Sequence, residues 1–411
     1  MHPKIYHATE HDINHGLIDP DAIHVIQKLR DAGFSAYLVG GSVRDLLIKK
    51  SPKDYDISTS ARPEQIKHLF GRNCLLIGRR FRLAHIRYGH KILELSTFRS
   101  GENESDLILQ DNVWGTEEED VRRRDFTING LFYDPSTHTV IDYVGGWEDI
   151  HKGILRSIGD ANIRFKQDPV RMIRLLKFRA RFGFDIDPDA RKALVNCRSE
   201  ITKSSAARLL EEILRMLESG ASASFFNLMN EAGLLELLFS SLAHFLKGKQ
   251  GKEIYLLLTS ADKMNRKNLK SPLDRSVLTA CLLYPIICQE IQTQFLDKDR
   301  TPHAGDITLL AATVTKDVLT SSFTHFPRRI SSTTAFLLAT QFRLTPISPK
   351  KHHRPKVIRH KEFKLALDFL EIRACVDKKL VETYNTWKQI YKQQERHGEH
   401  KAHHPAPFPR G

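Results

Sequence analysis

The segment GGSVRDLLIKKSPKDYDIST, residues 40–59, combines a glycine pair with two aspartates separated by one residue. SVRDLLIKK predicts a short helix and KDYDIST predicts a strand. Because side chains alternate across a strand, we expect Asp54 and Asp56 to point to one face and Tyr55 to the other. Two carboxylates this close repel each other unless a cation lies between them, and Mg²⁺ suits one or two carboxylates together with substrate phosphates. Solvated aspartates on an edge strand are the alternative.

The glycine pair strengthens the prediction of a site. Gly40 and Gly41 follow an apolar strand and open the helix, with Ser42 expected as the N-cap and Asp45 completing a capping box. Backbone N–H groups at this helix start, free of side-chain bulk, can face a phosphate chain, and Arg44 adds positive charge. A plain tight turn is the alternative. Together, the turn and the aspartates predict phosphates over the glycines and metal on the carboxylates.

Two residues compete to supply the third carboxylate that such sites usually contain. Glu94 lies in LEL on a predicted strand, where its leucine neighbours point to the other face. Asp125 follows three arginines in RRRDFTIN, and these arginines could contact triphosphate or RNA phosphate. The alternative for Asp125 is local charge neutralisation by the arginines, so both candidates stay open.

The composition favours a polyanionic partner. The 411-residue chain carries a formal net charge of +14, which points to nucleic acid or to an anionic membrane surface. Hydrophobic residues make up 41% of the chain, enough to bury a core, and no stretch approaches the ~20 apolar residues of a membrane span. The five scattered cysteines form no C-x-x-C pair, which fits a reducing cytoplasm. The polar N-terminus is not typical of a signal peptide.

Three long motifs resemble the class II nucleotidyltransferases, which comprise the bacterial poly(A) polymerases and the CCA-adding tRNA nucleotidyltransferases. They are YLVGGSVRDLLIKKSPKDYDISTSARPEQI, EEEDVRRRDFTINGLFYD and QDPVRMIRLLKFRARFGFDI, in the family's order, and the resemblance covers roughly residues 20–240. GRRFRLAHI (78–86) and DNVWGTEEEDVRRRDFTINGLFYD (111–134) look more like the polymerase versions. The resemblance implies transfer of AMP from ATP to RNA 3′ ends without a template.

Strands alternate with helices in the first part of the chain, whereas helical periodicity dominates from Asp168 on. This periodicity predicts an α+β fold, and the resemblance implies that it consists of an N-terminal nucleotidyltransferase head on a mixed β-sheet followed by an all-α neck, body and tail. The predicted segments are a polar lead-in (1–20), the catalytic head (21–155), a helical neck for base recognition and RNA binding (156–240), a helical body (241–344), a basic linker with a C-terminal helical RNA-binding region (345–395) and a disordered His- and Pro-containing tail (396–411).

The resemblance also assigns roles to single residues. It implies catalysis by Asp54, Asp56 and Asp125, with Mg²⁺ or Mn²⁺ on Asp54 and Asp56 and with ATP as the substrate. Glu94 remains a competitor for the role of Asp125. The implied nucleotide-binding residues are Gly40, Gly41, Arg44, Arg124, Asn129, Asp168, Arg171 and Arg174.

The neck segment QDPVRMIRLLKFRAR suggests how the base is chosen. Asp168 is predicted as the N-cap of a helix with Pro169 at its first position. By the resemblance, Asp168 and Arg171 read the Watson–Crick edge of the incoming base, since Asp accepts from an exocyclic amine and Arg donates to ring acceptors. The alternative is that Asp168 only caps the helix. Gln167 stands where the family commonly has Glu.

Two other functions stay open at this point. CCA addition to tRNA uses the same chemistry with two nucleotides in a fixed order, and the motifs shared by both branches do not separate them. A non-catalytic RNA-binding protein is disfavoured by the intact glycine pair and the three aspartates. We expect a cytoplasmic enzyme whose partners are ATP and RNA 3′ ends, and no sequence pattern indicates an oligomeric state.

Overall fold

The computed structural model describes residues 2–78, 83–100, 113–268, 270–320, 323, 325–347 and 356–402, with side chains described as far as 395. The chain divides into two compact units, residues 1–201 and residues 202–411. The first unit holds a mixed sheet with helices and the second is helical, which confirms the predicted α+β fold. The six predicted segments are finer than this division and stay predictions. Within the described ranges, no helix combines the length and the apolar character that crossing a membrane requires.

Eight strands of the described first unit form one mixed sheet. They are β1 (Lys4–Tyr6), β2 (Ala36–Val39), β3 (Asp56–Thr59), β4 (Cys74–Ile77), β5 (Leu83–Tyr88), β6 (Lys91–Thr97), β7 (Leu131–Asp134) and β8 (Thr139–Asp142). Their order is β1-β8-β7-β2-β3-β6-β5-β4. Strands β3 and β6 are parallel, and the other neighbours are antiparallel. A separate parallel pair joins β9 (Ile154–Leu155) to β10 (Asp185–Ile186). The strand β1 lies inside the predicted lead-in and was not anticipated.

The helices of this unit follow local sequence signals. They are α1 (Pro20–Asp31), α2 (Gly41–Leu47), α3 (Pro63–Phe70), α4 (Glu117–Arg122), α5 (Gly146–Lys152), α6 (Ala161–Gln167), α7 (Val170–Phe182) and α8 (Pro188–Cys197). In α1, the Asp19 side chain accepts from the Asp21 N–H, so the helix begins at a capped proline. Ile26 and Leu29 are fully buried on its inner face, and Gly33 follows its end with a φ of +86°.

The two faces of the sheet have different surroundings. Leu38, Ile57, Leu95 and Ala84 share one register row and are fully buried. The adjacent row points to the other face, because side chains alternate along each strand. That row runs through Val39, Asp56, Glu94, His85 and Leu75. The sheet therefore presents two acidic side chains side by side on the face away from the buried row.

Two local predictions around the glycine pair are wrong. Strand β3 begins at Asp56, so Asp54 lies on the preceding exposed segment and strand alternation does not position it. The N-cap of α2 is Gly40, and the Ser42 hydroxyl donates instead to the Val39 carbonyl at 2.9 Å. Glycine is favoured at this position because the φ of 67° and the ψ of −124° are strained for any residue with a side chain.

The second unit is helical throughout its regular structure in the described residues. Its helices are α9 (Ala206–Glu218), α10 (Ser222–Glu231), α11 (Leu234–Leu238), α12 (Ser240–Lys247), α13 (Gly251–Lys267), α14 (Arg275–Gln294), α15 (Ala304–Thr320), α16 (Arg328–Leu344), α17 (Phe363–Val376) and α18 (Val381–Ala402). Residues 348–355 of the predicted basic linker lie outside the described residues. Lys356–Arg359 forms a 3₁₀ turn that buries Val357 and Ile358. Helix α18 ends at Ala402, inside the segment for which we predicted disorder.

We predict that Gly40→Ala destabilises the protein by about 3 kcal/mol, because the backbone conformation is strained for alanine and the added methyl crowds a neighbouring side chain. Gly33→Ala is the matched control, since its φ is also positive but an added methyl meets nothing within 4 Å. The control should cost about 1 kcal/mol. Denaturant unfolding of both variants measures the difference, and equal costs would contradict the prediction.

Candidate active site

Gly40 and Arg124 form one wall of the site. A methyl group added at Gly40 would lie 3.0 Å from Nη1 of Arg124, so the glycine turn and this guanidinium occupy adjoining space. Nη2 of Arg124 donates to Oδ2 of Asp120 at 2.9 Å and to Oγ of Ser58 at 3.2 Å. These bonds fix the guanidinium beside a turn without side-chain bulk, an arrangement that suits a phosphate.

Asp56 lies at the centre of a cluster of negative charge. The parallel register places it opposite Glu94, whose Oε2 lies 3.6 Å from Nε2 of His85 on the next strand. The pKa of Asp56 is raised to about 6, first by desolvation and then by the charge of Glu94, with Arg124 opposing the rise and Asp54 adding to it. Crowding of like charges disfavours the ionised form, and a bound cation would relieve it.

The carboxylates fit a divalent metal only in part. Asp54 is exposed and lies close enough to Asp56 to raise its pKa. In the part of the chain that the structure describes, no three His, Cys, Asp or Glu side chains converge closely enough to hold a metal ion. A site of one or two carboxylates that is completed by substrate phosphate and water is the usual arrangement for Mg²⁺. The donor set therefore fits a metal that arrives with a phosphorylated substrate.

Asp125 belongs to a different, buried network. Its Oδ1 accepts from the backbone N–H of Phe126 at 2.8 Å and from Nδ2 of Asn129 at 3.0 Å. Its Oδ2 lies 3.0 Å from Nη2 of Arg174. Burial alone would raise its pKa, but Arg174 and these hydrogen bonds outweigh burial and lower the pKa. The carboxylate is thus held ionised by partners outside the cluster on β3 and β6.

Arg44 extends this network from α2 to α7. Its Nη1 donates to Oδ1 of Asn129 at 2.5 Å, while Nε and Nη2 both donate to Oδ1 of Asp45. The guanidinium also lies over the rings of Phe178 and Phe182, 5.1 and 4.7 Å from their centres. Only 4% of Arg44 is exposed. Its contact with a nucleotide stays a prediction. Its contacts with the two phenylalanine rings join α2 to α7.

Two arginines bind the backbone carbonyls of residues 122–124. Arg171 donates to the carbonyl of Arg123 at 2.8 Å and to that of Arg124 at 3.0 Å. Arg164 donates to the Arg124 carbonyl at 3.3 Å and to a second carbonyl of the same segment. Helices α6 and α7 therefore hold the segment that carries the wall arginine.

The start of α7 differs from the prediction. Its N-cap is Pro169, and Asp168 lies one residue earlier as the C-cap of α6, so the predicted N-cap is wrong. The pKa of Arg171 is lowered to about 10, first by burial and then by Arg164, while Asp125 and Asp168 oppose the change. Asp168 thus lies near Arg171. Base reading by this pair stays a prediction, because both ends of the Arg171 guanidinium are bonded to carbonyls.

Sequence reasoning missed Arg164, Asp120 and Ser58. Asp120 and Arg124 had a usable signal, since they are spaced i, i+4 at the end of a helix. Ser58 also had one, because it lies two residues after Asp56 and so on the same face of the strand. The contact of Arg164 with residues 122–124 had none, because it is made to backbone carbonyls, which carry no sequence information, whereas its bond to Oε1 of Gln167 has i, i+3 spacing.

Family models match three parts of the chain. The poly A polymerase head domain matches residues 36–156, the probable RNA and SrmB-binding site of polymerase A matches residues 183–246, and the polymerase A arginine-rich C-terminus matches residues 310–407. Over 391 residues the chain is 33% identical to poly(A) polymerase I of Salmonella typhimurium, with 92% of this chain and 83% of that protein covered. The chain belongs to the bacterial poly(A) polymerase family. Poly(A) polymerase I of Haemophilus influenzae is 32% identical over 389 residues, covering 91% and 84%.

CCA-adding enzymes match about half of this chain in sequence and nearly all of it in fold. The CCA-adding enzyme of Leuconostoc mesenteroides is 40% identical over 206 residues, which cover 50% of this chain and 51% of that protein. The solved Bacillus stearothermophilus CCA-adding enzyme in complex with CTP has a TM-score of 0.62 at 24% identity, covering 92% and 83%. A tRNA nucleotidyltransferase with a primer tRNA and an incoming ATP analog has a TM-score of 0.59 at 21% identity, covering 90% and 99%. These structures show the shared fold.

We predict that Asp56→Asn raises the melting temperature above pH 6 when divalent cations are absent. The folded pKa of about 6 lies above the ordinary value of 3.8, so ionised Asp56 destabilises the folded state. This cost is absent below about pH 4, grows between pH 4 and 6, and is complete above that range. Glu94→Gln should raise the melting temperature with the same pH dependence, and the gains of the two variants should not add. Parallel melting curves of wild type and variants at every pH would contradict the prediction.

We predict that Arg174→Met destabilises the protein by about 2 kcal/mol at pH 7, because it leaves the buried Asp125 charge without its ion pair. The expected loss of stability is smaller than for a fully buried ion pair, because Arg174 is partly exposed. The pKa of Asp125 is lowered, so the loss should persist down to its ordinary pKa and disappear only as the pH falls through the folded value. Lys166→Met removes an exposed charge from α6 and serves as the control in urea unfolding across pH.

Proposed function

We propose that the protein is a template-independent polynucleotide adenylyltransferase that adds AMP from ATP to RNA 3′ ends. The observation that carries the proposal is the match to poly(A) polymerase I over 92% of this chain and 83% of that relative. The exposed acidic row on the sheet, beside an arginine and a glycine turn, supplies the chemistry that such a transfer needs. The cytoplasmic location remains a prediction.

The wall of the site is suited to the triphosphate of ATP. Gly40 removes side-chain bulk, and Arg124 offers a fixed cation whose Nη1 borders the glycine turn. A phosphate there accepts charge-assisted hydrogen bonds from a guanidinium that is already positioned by Asp120 and Ser58. Preorganisation of this kind stabilises charge on the leaving pyrophosphate without reorganisation during the reaction.

Asp54 and Asp56 would hold the catalytic Mg²⁺ or Mn²⁺, and Glu94 is our choice for the third carboxylate. The metal, when bound, would activate the RNA 3′-hydroxyl and neutralise charge on the phosphoryl group. Glu94 is preferred over Asp125 because it lies in register with Asp56, whereas Asp125 is bonded to Asn129 and Arg174. Asp56 and Glu94 both present their carboxylate oxygens on the same face of the sheet, where they could bind one metal ion together.

Asp125 then acts as a positioning residue. It accepts a hydrogen bond from Asn129, which in turn accepts one from Arg44. Helices α2 and α7 are therefore both linked to the buried Asp125 carboxylate, α7 through Arg174. The backbone of residues 122–124 is held by hydrogen bonds from Arg164 and Arg171. Arg171 would have to exchange one carbonyl for the base in order to read adenine together with Asp168.

CCA addition is the second candidate, and the 40% identity to a CCA-adding enzyme over half of the chain favours it. The two reactions differ in their nucleotide requirement. A poly(A) polymerase extends a generic RNA with ATP alone, whereas a CCA-adding enzyme needs CTP and stops after a fixed sequence. A non-catalytic RNA-binding role is disfavoured because Asp56 and Glu94 are both present on the same sheet face.

We predict ATP-dependent extension of a generic RNA primer that is reduced at least about 100-fold by Asp54→Asn or by Asp56→Asn, because each removes a proposed metal ligand. Asp12→Asn, which changes an exposed carboxylate paired with Lys49, is the control and should extend normally. Glu94→Gln should act like the two aspartate variants, whereas Glu64→Gln should not. Primer extension with ATP, CTP, GTP or UTP measures the outcome, together with thermal melting.

Addition of two C and one A to a truncated tRNA, with no further growth, would establish the second candidate instead. Near-normal extension by either aspartate variant would overturn the metal assignment. The absence of pyrophosphate release with every nucleotide would overturn the enzymatic proposal altogether.

A further inference from the structure

The sheet face that carries Asp56 and Glu94 continues past them as an exposed surface. The register places Leu75 opposite His85, and Arg87 opposite Ile92, so these side chains point to the same face as the carboxylates. Leu75 is 58% exposed and Ile92 is 53% exposed. We call this surface the shelf and define it by Leu75, Ile77, Leu83, His85, Arg87 and Ile92.

The opposite half of the same face is covered. Val39 is in register with Asp56 and with Phe132, and Val39 and Phe132 belong to a buried cluster that includes Val121. Arg124 lies on this covered side, where it bonds to Ser58. The carboxylates therefore mark a border between the covered half, which carries the nucleotide wall, and the shelf.

The shelf has the chemistry of a single-stranded RNA contact. Its aliphatic side chains provide a floor for the flat faces of bases, which stack on apolar and aromatic side chains without regard to sequence. Arg87 is exposed and lies in register with Ile92 at the edge of the shelf. It offers one cation for a backbone phosphate. A mainly apolar surface with a cation at its rim is complementary to a short run of nucleotides.

The length of the shelf matches that of a few stacked nucleotides. Strands lie about 4.8 Å apart, so the row from Asp56 through Glu94 and His85 to Leu75 spans roughly 14 Å. Stacked nucleotides rise about 3.4 Å each, so the row accommodates the last few nucleotides of a strand whose end reaches the carboxylates. Large exposed apolar side chains grouped in this way on one face typically mark a binding surface.

We propose that the shelf binds the 3′-terminal nucleotides of the RNA primer. This rests on the proposed function and deepens it by assigning the two substrates to opposite sides of the acidic row. ATP occupies the side of Arg124 and Gly40, and the primer lies over β6, β5 and β4. The attacking 3′-hydroxyl then reaches the α-phosphate from the side opposite to the leaving pyrophosphate, as in-line displacement requires. The new P–O bond joins the primer oxygen to AMP, the bond to pyrophosphate breaks, and the hydroxyl proton passes to solvent.

The first test compares primer extension by the double variant Leu75→Ser/Ile92→Ser with that of the wild type. Both side chains are exposed, so the fold should persist, and thermal melting checks this. We expect the KM for a 15-nucleotide oligoadenylate to rise about tenfold, because the two serines remove most of the exposed apolar surface on which the terminal bases would lie. The KM for ATP should change less than twofold. Leu309→Ser, at a site that is 70% exposed in the second unit, is the matched control.

The second test measures the salt dependence of primer binding and maps the position of the primer by crosslinking. Arg87→Gln should reduce the log–log salt dependence of oligoadenylate binding by about 0.7 if it removes one phosphate contact, whereas the double variant should leave this slope unchanged. A primer with 4-thiouridine at its penultimate position should form photo-crosslinks to peptides of β5 and β6. Crosslinks confined to other peptides, with an unchanged primer KM in the double variant, would overturn the proposal.

Two further outcomes separate this inference from the function on which it rests. If the wild type extends RNA and the double variant shows an unchanged primer KM, the shelf proposal fails while the function stands. If the wild type extends no RNA with any nucleotide, the function fails. A double variant that changes the mass measured by light scattering but not the primer KM would assign the shelf to contact between copies of this chain and overturn primer binding.

Discussion

The parallel pairing of β3 with β6 is the constraint on which the site depends. It sets Asp56 beside Glu94 on one face, and it does so because Ile57 and Leu95 on the other face are fully buried in the core. A slip of one residue would turn the acidic pair into the core and the apolar pair into water, which burial strongly disfavours. The hydrophobic core thus holds two like charges close together, and the pKa of Asp56 is raised first by desolvation and then by the charge of Glu94. A metal that arrives with a phosphorylated substrate would relieve this repulsion.

A second layer holds the wall beside this acidic row. Asp125 is the centre of a buried chain of bonds through Asn129 to Arg44, and Arg174 neutralises its charge. Buried polar groups of this kind are stable only when each has its partner, so the network acts as a unit. Arg164 and Arg171 bind the backbone carbonyls of residues 122–124, so α6 and α7 fix the chain path that presents Arg124.

The placement of carboxylates on the sheet and of arginines beside it is consistent with membership of the bacterial poly(A) polymerase family. The sheet supplies negative charge at a border between a covered half and an open half, and Arg124, in the turn after α4, supplies positive charge on the covered side. Phosphoryl transfer needs little covalent chemistry from a protein and depends on positioning and charge neutralisation. The same arrangement gives each substrate its own side of the acidic row, and the excess of basic residues in the chain suits RNA, whose phosphates dominate binding energy.

The sequence by itself determined the glycine turn, the helix that follows it, the two nearby aspartates and the change from an α/β head to helices. These features depend on chain neighbours and local periodicity, which a sequence displays directly. It did not determine that Asp54 precedes the strand, that Ser42 leaves the N-cap to Gly40, or that Asp168 ends α6, because such boundaries shift by one or two residues with tertiary packing. The choice between Glu94 and Asp125 was also open in the sequence. Only the tertiary structure placed Glu94 beside Asp56 and gave Asp125 to Arg174, because register and burial are set by contacts between residues far apart in the chain.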